Sequence, residues 1–139
     1  EAKPDDLAKV SAVFHNRLAE GMRLESCATV QYVLGTTRLA LTDSDTSVDS
    51  PYNTYKNSGL PIGPICNPSR AALQAAAFPD EEYLNEGYLY FCSKDPTSGE
   101  LQFSKTYEEH QAAVEQYRPL WIEYDNSRAG SDQAGQEGQ

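Results

Sequence analysis

The stretch "SPYNTYKNSGLPIGPICNPS", from Ser50 to Ser69, most constrains what this chain can fold into. Pro51, Pro61, Pro64 and Pro68 fix φ and remove backbone donors, so no regular helix or strand can run through it. Loops this long inside a compact domain are usually functional or disordered. Tyr52, Tyr55, Leu60 and Ile62 give this one apolar groups to pack, which favours an ordered and hence functional loop. Its end reads as a helix start, with Asn67 as N-cap and Pro68 at the first helical position. "SRAALQAAAF" then carries a helix to Pro79, and its alanines imply close packing.

Around the loop the periodicities are simpler. Leu7, Val10, Phe14 and Leu18 mark an amphipathic helix over residues 5–20, with Val13 broadening the stripe and Gly21 as the stop. Asn16 and Arg17 lie beside that stripe, within reach of a cleft rim. "SCATVQYVLG" reads as a short helix with Ser26 as N-cap and Gly35 as the C-terminal glycine. "TTRLALTDSDTSVDS" is loop chemistry, with at most one short strand at Arg38 to Leu41. "GYLYFCS", a "KDPTSG" turn and "ELQFS" make one hairpin. Thr106 and Glu109 form a capping box before "YEEHQAAVEQY", a helix that Pro119 ends or kinks. From Asp125 on there is no large apolar residue, which predicts a disordered tail. The expected fold is α+β: several helices around a small antiparallel sheet or hairpin, with a long ordered Pro/Tyr/Asn-rich loop. One domain is expected over residues 1–124, and the disordered tail over 125–139.

Charge excludes some partners. The 139 residues carry 21 acidic and 11 basic side chains, a formal net charge of -10. A nucleic acid or an anionic membrane surface needs a basic patch instead. No run approaches the roughly 18 apolar residues of a membrane span. The chain opens on "EAKPDD" without an initiator Met, so it reads as an excised fragment, which leaves room for an anchor or targeting segment upstream. Cys27, Cys66 and Cys92 lack metal-ligand spacing and read as buried apolar thiols. Asp43, Asp45 and Asp49 lack the glycine and distal Glu of a calcium loop, so no metal is expected. His15 and His110 are too few for a His-based metal site, and His110 reads first as a structural hydrogen-bonding group. The prolines of "GLPIGP" remove donors that a phosphate would need.

"YNTY" and "NPS" carry rings, amides and hydroxyls. Rings stack on the apolar face of a pyranose, and amides donate and accept at once, which matches sugar hydroxyls and N-acetyl groups. The plainer reading is that Asn53 and Asn67 cap turns and a helix.

Taken in order, "KVSAVFHNRLAEGMRLESCATVQYVLG", "YNTYKNSGLPIGPICNPSRAALQAAAFP", "YLYFCS" and "FSKTYEEHQAAV" resemble the YceG-like family of endolytic murein transglycosylases, over about residues 1–118. The resemblance is to the catalytic domain; full-length members add a membrane anchor and a LysM-like region. It implies an enzyme that cuts the MurNAc-β-1,4-GlcNAc bond within nascent peptidoglycan strands and leaves a 1,6-anhydro-MurNAc end. One Glu acts as acid and then base, and no cofactor is implied. The lysines sit in polar contexts unsuited to a Schiff base. The implied partners are glycan strands and cell-wall synthases, at the extracytoplasmic face of the bacterial membrane. The alternative is a non-catalytic peptidoglycan-binding or scaffold module.

Aligned with the family's "IVEKE" segment, Glu1 is the implied catalytic acid. Tyr52, Asn53, Thr54 and Tyr55 match the "YNTY" block, Asn67 the "NP" helix start, and Thr29 the "ATV" block. Asn16 matches "NRL", and His110 matches a His on the helix after the hairpin. Asn53, Tyr55 and Asn67 are then expected to line the cleft. Asn16 and His110 either support the lining groups or are structural. Cys27 departs from the family, where Asp is frequent.

Overall fold

The first long helix, α1 (Leu7–Ala19), is gripped from several sides rather than along one stripe. In this computed structural model, which describes residues 2–136 with side chains to residue 130, its buried residues are Ser11, Ala12, Val13 and Arg17. Leu7, Val10 and Phe14 are half-buried, and Leu18, expected in the stripe, is exposed. The burial is centred on Val13 because α4, α5 and strand β1 all pack on this helix.

The elements that follow are α2 (Cys27–Leu34), α3 (Asp43–Thr46), α4 (Arg70–Ala77), α5 (Glu81–Glu86), β1 (Tyr90–Asp95), β2 (Glu100–Ser104) and α6 (Tyr107–Gln136). Among the described residues the fold is α+β, with six helices and one antiparallel two-stranded sheet. The hairpin pairs Phe91 with Phe103 and Cys92 with Gln102, with an irregularity between Ser93 and Asp95. Phe91 meets Phe14 edge-on at 5.6 Å, and Tyr83 meets Phe103 edge-on at 5.2 Å, which ties α1 and α5 to the sheet. Such aromatic pairs add directionality to burial. None of these helices is long and apolar enough to cross a membrane.

Several local expectations meet their structural counterparts. Ser26 precedes α2, and Gly35 closes it in the left-handed conformation at φ 63°. Thr106 Oγ1 accepts from Glu109 N, while the Glu109 carboxylate reaches back one residue further, to Lys105 N.

Others are corrected. The N-cap of α4 is Ser69, whose hydroxyl accepts from Ala72 N at 3.1 Å, so the helix begins two residues after Pro68. Serine caps at least as well as asparagine, and Pro68 then serves as an extended lead-in. α4 does approach α1, with His15 Nε2 2.9 Å from Ala76 O, yet none of its own residues is buried. The helix α5 was not anticipated; Asp80 caps it through Tyr83 N. No strand forms at Arg38 to Leu41. The Leu39 and Ala40 amides instead donate to the Asp125 carboxylate at 2.9–3.0 Å. A four-residue helix follows, with Thr42 and Asp45 making a reciprocal capping box.

That carboxylate lies beyond Pro119, where the last helix was expected to end or kink. The helix does not end there: α6 runs through Pro119. Proline forfeits one helical hydrogen bond, at roughly 3 kcal/mol. Three anchors close by offset it: Arg118 Nη2 donates to Leu41 O, Trp121 Nε1 donates to Ser93 O (both 2.9 Å), and Asp125 accepts from residues 39 and 40. Trp121 and Ala113 pack on Cys92 in a buried cluster. The boundary expected at Asp125 therefore falls inside a helix that is tied to the body of the domain.

Of the cysteines, Cys92 is buried as expected, whereas Cys27 and Cys66 occupy exposed positions.

Candidate functional site

The Ser50–Ser69 loop is held by its amides. Asn53 is fully buried. Its Nδ2 donates to Thr46 O at 3.0 Å and Val48 O at 2.8 Å, and its Oδ1 accepts from Tyr55 N at 2.9 Å. Asn57 Nδ2 donates to Ser50 O and Asn53 O. Asn53 is thus the hub of the loop and faces no solvent; its amide has the turn-capping role. Leu60 and Ile62, expected to pack, are 74% and 69% exposed.

Thr54 is also fully buried and joins the loop to α2. Its Oγ1 lies 2.9 Å from Thr29 Oγ1 and accepts from Ser26 N at 2.9 Å. Thr29 Oγ1 also donates to Ser26 O. Tyr55 continues this wall with its hydroxyl 3.1 Å from Cys27 Sγ. Burial pushes the Tyr55 phenol far above its ordinary value, with Cys27 and Glu25 adding to the effect, so it is a neutral hydrogen-bonding group. Burial around Sγ likewise raises the Cys27 thiol, and the bond from Tyr55 partly opposes this. The Arg118 charge also opposes it, but the net shift is upward, so the thiol lacks the lowered pKa of a reactive cysteine. Tyr52, half-buried, packs against Tyr32 with ring centroids 5.1 Å apart.

The remaining residues singled out from sequence separate. Asn16 Nδ2 donates to Tyr83 O and Tyr88 O, pinning α1 to the approach to β1. Asn67 is exposed just before α4. His110 stacks on Tyr90 with centroids 5.0 Å apart, and its buried Nδ1 has no hydrogen-bond partner among the described residues. Burial, and then the nearby Arg17 charge, lower its pKa from 6.5. Glu1 lies outside the described residues. So Thr29, Asn53, Thr54 and Tyr55 form one network, Tyr52 flanks it, and Asn16 and His110 support neighbouring elements.

Beside this network lies an open cleft of about 470 Å³, lined by Arg17, Met22, Arg23, Glu25, Tyr90 and Tyr107. Arg17 is its floor. The side chain is buried, yet its charge is met by carbonyls: Nε donates to Leu89 O at 2.6 Å, and Nη1 to Arg23 O at 2.6 Å and Leu24 O at 3.3 Å. Glu25 Oε2 stands 3.8 Å from the same Nη1. The guanidinium lies 4.9 Å from the Tyr90 ring centre, within cation–π range. Arg23 Nη1 donates to Tyr55 O, so the cleft and the tyrosine wall share an edge.

Sequence reasoning placed Arg17 near a cleft rim and passed over Glu25, Tyr90 and Tyr107. Its place beside the apolar stripe of the first helix signalled Arg17, and nothing local sets the other three apart from surface or core residues. The arrangement suits an uncharged polyhydroxylated ligand, with ring faces for its apolar side and charged groups for its hydroxyls.

The YceG-like family model matches residues 1–116. An endolytic murein transglycosylase of Bacillus subtilis is 43% identical over 112 residues, which is 81% of this chain and 29% of that protein. One from Streptococcus pneumoniae is 33% identical over 121 residues, 84% of this chain and 21% of that protein. The 2.6 Å crystal structure of a YceG-like protein from Listeria monocytogenes superposes with a TM-score of 0.65 at 47% identity, covering 74% of this chain and 32% of that one. The chain therefore spans less than a third of the length of these relatives. With the match running from residue 1 through the cleft and into α6, this chain belongs to the YceG-like family.

Proposed function

We propose that this chain is the catalytic part of a lytic transglycosylase that cuts MurNAc-β-1,4-GlcNAc bonds within nascent peptidoglycan strands. The observation that carries the reading is the 43% identity over 112 residues to a protein named an endolytic murein transglycosylase. The open cleft, with tyrosine faces, a carboxylate and guanidiniums along one edge of the "YNTY" loop, supports it.

In this reaction a protonated carboxyl group donates to the glycosidic oxygen as the C1–O bond breaks. Positive charge develops at C1, shared by the N-acetyl oxygen of the substrate. The C6 hydroxyl oxygen of the same MurNAc then bonds to C1, and its proton returns to the carboxylate. Water is not consumed, so one carboxyl group serves as acid and then base, where most glycosidases need two. We assign that group to Glu1 on its match to the family's acidic segment. The site belongs on the extracytoplasmic side of the membrane, within reach of newly made strands and the synthases that make them.

The test uses the full-length protein. Glu1→Gln should abolish release of anhydro-muropeptides while glycan binding persists. Undiminished anhydro product in that variant sinks the assignment of Glu1. Binding without cleavage by the unmodified protein supports a non-catalytic module instead.

A further inference from the structure

One residue lining the cleft has an unusual backbone conformation. Glu25 adopts φ 47°, in the left-handed region, which glycine fills more readily. The strain is imposed from the loop: Glu25 N donates to Thr54 O at 3.2 Å, and the next amide, Ser26 N, donates to Thr54 Oγ1 at 2.9 Å. Thr54 is itself fixed through Thr29. Strained residues held by an over-determined surrounding are found where a side chain must be aimed. Here the Glu25 carboxylate is aimed into the cleft, 47% exposed and 3.8 Å from the fixed Arg17 guanidinium.

Tyr107, the first residue of α6, supplies an aromatic face to the same cleft. It is 58% exposed. Its orientation is nevertheless set, because Gln111 Nε2 donates to its hydroxyl at 3.1 Å and its ring lies 6.1 Å from that of Tyr90. A large ring held in place but left bare is otherwise an unrewarded exposure.

We propose that this cleft is a subsite for an uncharged N-acetylhexosamine ring of the glycan, stacked on Tyr107 and hydrogen-bonded through its hydroxyls to Glu25. The inference rests on reading the chain as glycan-cleaving and adds where, apart from Glu1, a sugar is held. An acidic stem peptide fits less well. Its carboxylates would meet Glu25, while Arg17 is already committed to three carbonyls and Arg23 donates to Tyr55 O. The cleft's volume of about 470 Å³ lies within the roughly 300–1,000 Å³ of small-molecule sites.

The experiment measures, by calorimetry on the full-length protein, binding of an N-acetylglucosamine tetramer and, separately, of a free acidic stem peptide. Tyr107→Ala and Glu25→Gln should each weaken tetramer binding about tenfold, with Tyr107→Phe close to the unmodified protein. Glu25→Gly fits the left-handed backbone without strain. It should keep the fold and still lose affinity, which separates the carboxylate from the turn. Unchanged tetramer affinity in folded Tyr107→Ala and Glu25→Gln variants overturns the proposal, as does preference for the stem peptide. If peptidoglycan is cut normally while those variants bind like the unmodified protein, the subsite fails and the enzymatic reading stands. If the variants lose tetramer binding but the unmodified protein releases no anhydro ends, the enzymatic reading fails and the subsite stands.

Discussion

The two halves of the Ser50–Ser69 loop have similar residues and opposite environments. In the first half, Asn53 and Thr54 are 0% and 1% exposed and hydrogen-bond to α2, to the segment after α3 and to the loop itself. In the second, Leu60 and Ile62 project into solvent. Prolines punctuate both halves, so rigidity does not distinguish them. What does is whether a short amide or hydroxyl side chain finds buried backbone partners. The polar residues are the anchors here, and the large apolar ones are left at the surface, the reverse of a composition-based expectation.

Asn53→Ala should break this contrast most severely. It strands Thr46 O, Val48 O and Tyr55 N, and urea denaturation should show a loss of about 3 kcal/mol or more. A loss below about 1 kcal/mol would mean that the amide is not the hub. Thr54→Val keeps the shape and removes the acceptor for Ser26 N. It should cost about 1–2 kcal/mol and accelerate hydrogen exchange at Ser26. In the second half, Ser69→Ala should cost about 1 kcal/mol as a lost N-cap, with Asn67→Ala near neutral. Equal costs would undo the reassigned helix start. Leu60→Ser and Ile62→Ser should each stay within about 0.5 kcal/mol in thermal melts.

The gentlest probe is pH. Because burial lowers the pKa of His110 in the folded chain, its neutral form is the one the fold favours. That contribution is fully present above the unfolded value of 6.5 and is lost as pH falls through the folded value. In an NMR titration over that window the Tyr90 ring signals should move with the stacked His110, while the Asn53 amide stays still. His110→Gln should abolish the movement at Tyr90.

Sequence reading succeeded where the signal is local. Ser26 holds the N-cap position of α2, although its hydroxyl makes no capping bond, and Gly35 ends the helix because a left-handed glycine acts within a few positions of the helix it closes. The hairpin follows from a β-prone, mostly apolar run, a turn and a returning run. It failed where a distant partner decided. Pro119 looked like a stop because the anchors on Leu41, Ser93 and Leu39–Ala40 are invisible from the helix itself. Arg38 to Leu41, read as loop with at most one short strand, forms none because its Leu39 and Ala40 amides find a distant side-chain acceptor in Asp125. For the site, "YNTY" was legible as important, but the part it plays was not. Asn53 and Thr54 are turned inward, and their effect on the cleft runs through the Glu25 backbone.

By itself, then, the sequence determined the family, the α+β class, the ends of α2 and the irregular path of the proline-rich loop. Each of these depends on residue type and near-neighbour spacing. Only the tertiary structure decided which polar residues are buried, how far α6 continues, and that Arg17, Glu25, Tyr90 and Tyr107 share one cleft. Hydrogen bonds and ring contacts between positions tens of residues apart set those outcomes, and no local pattern records them.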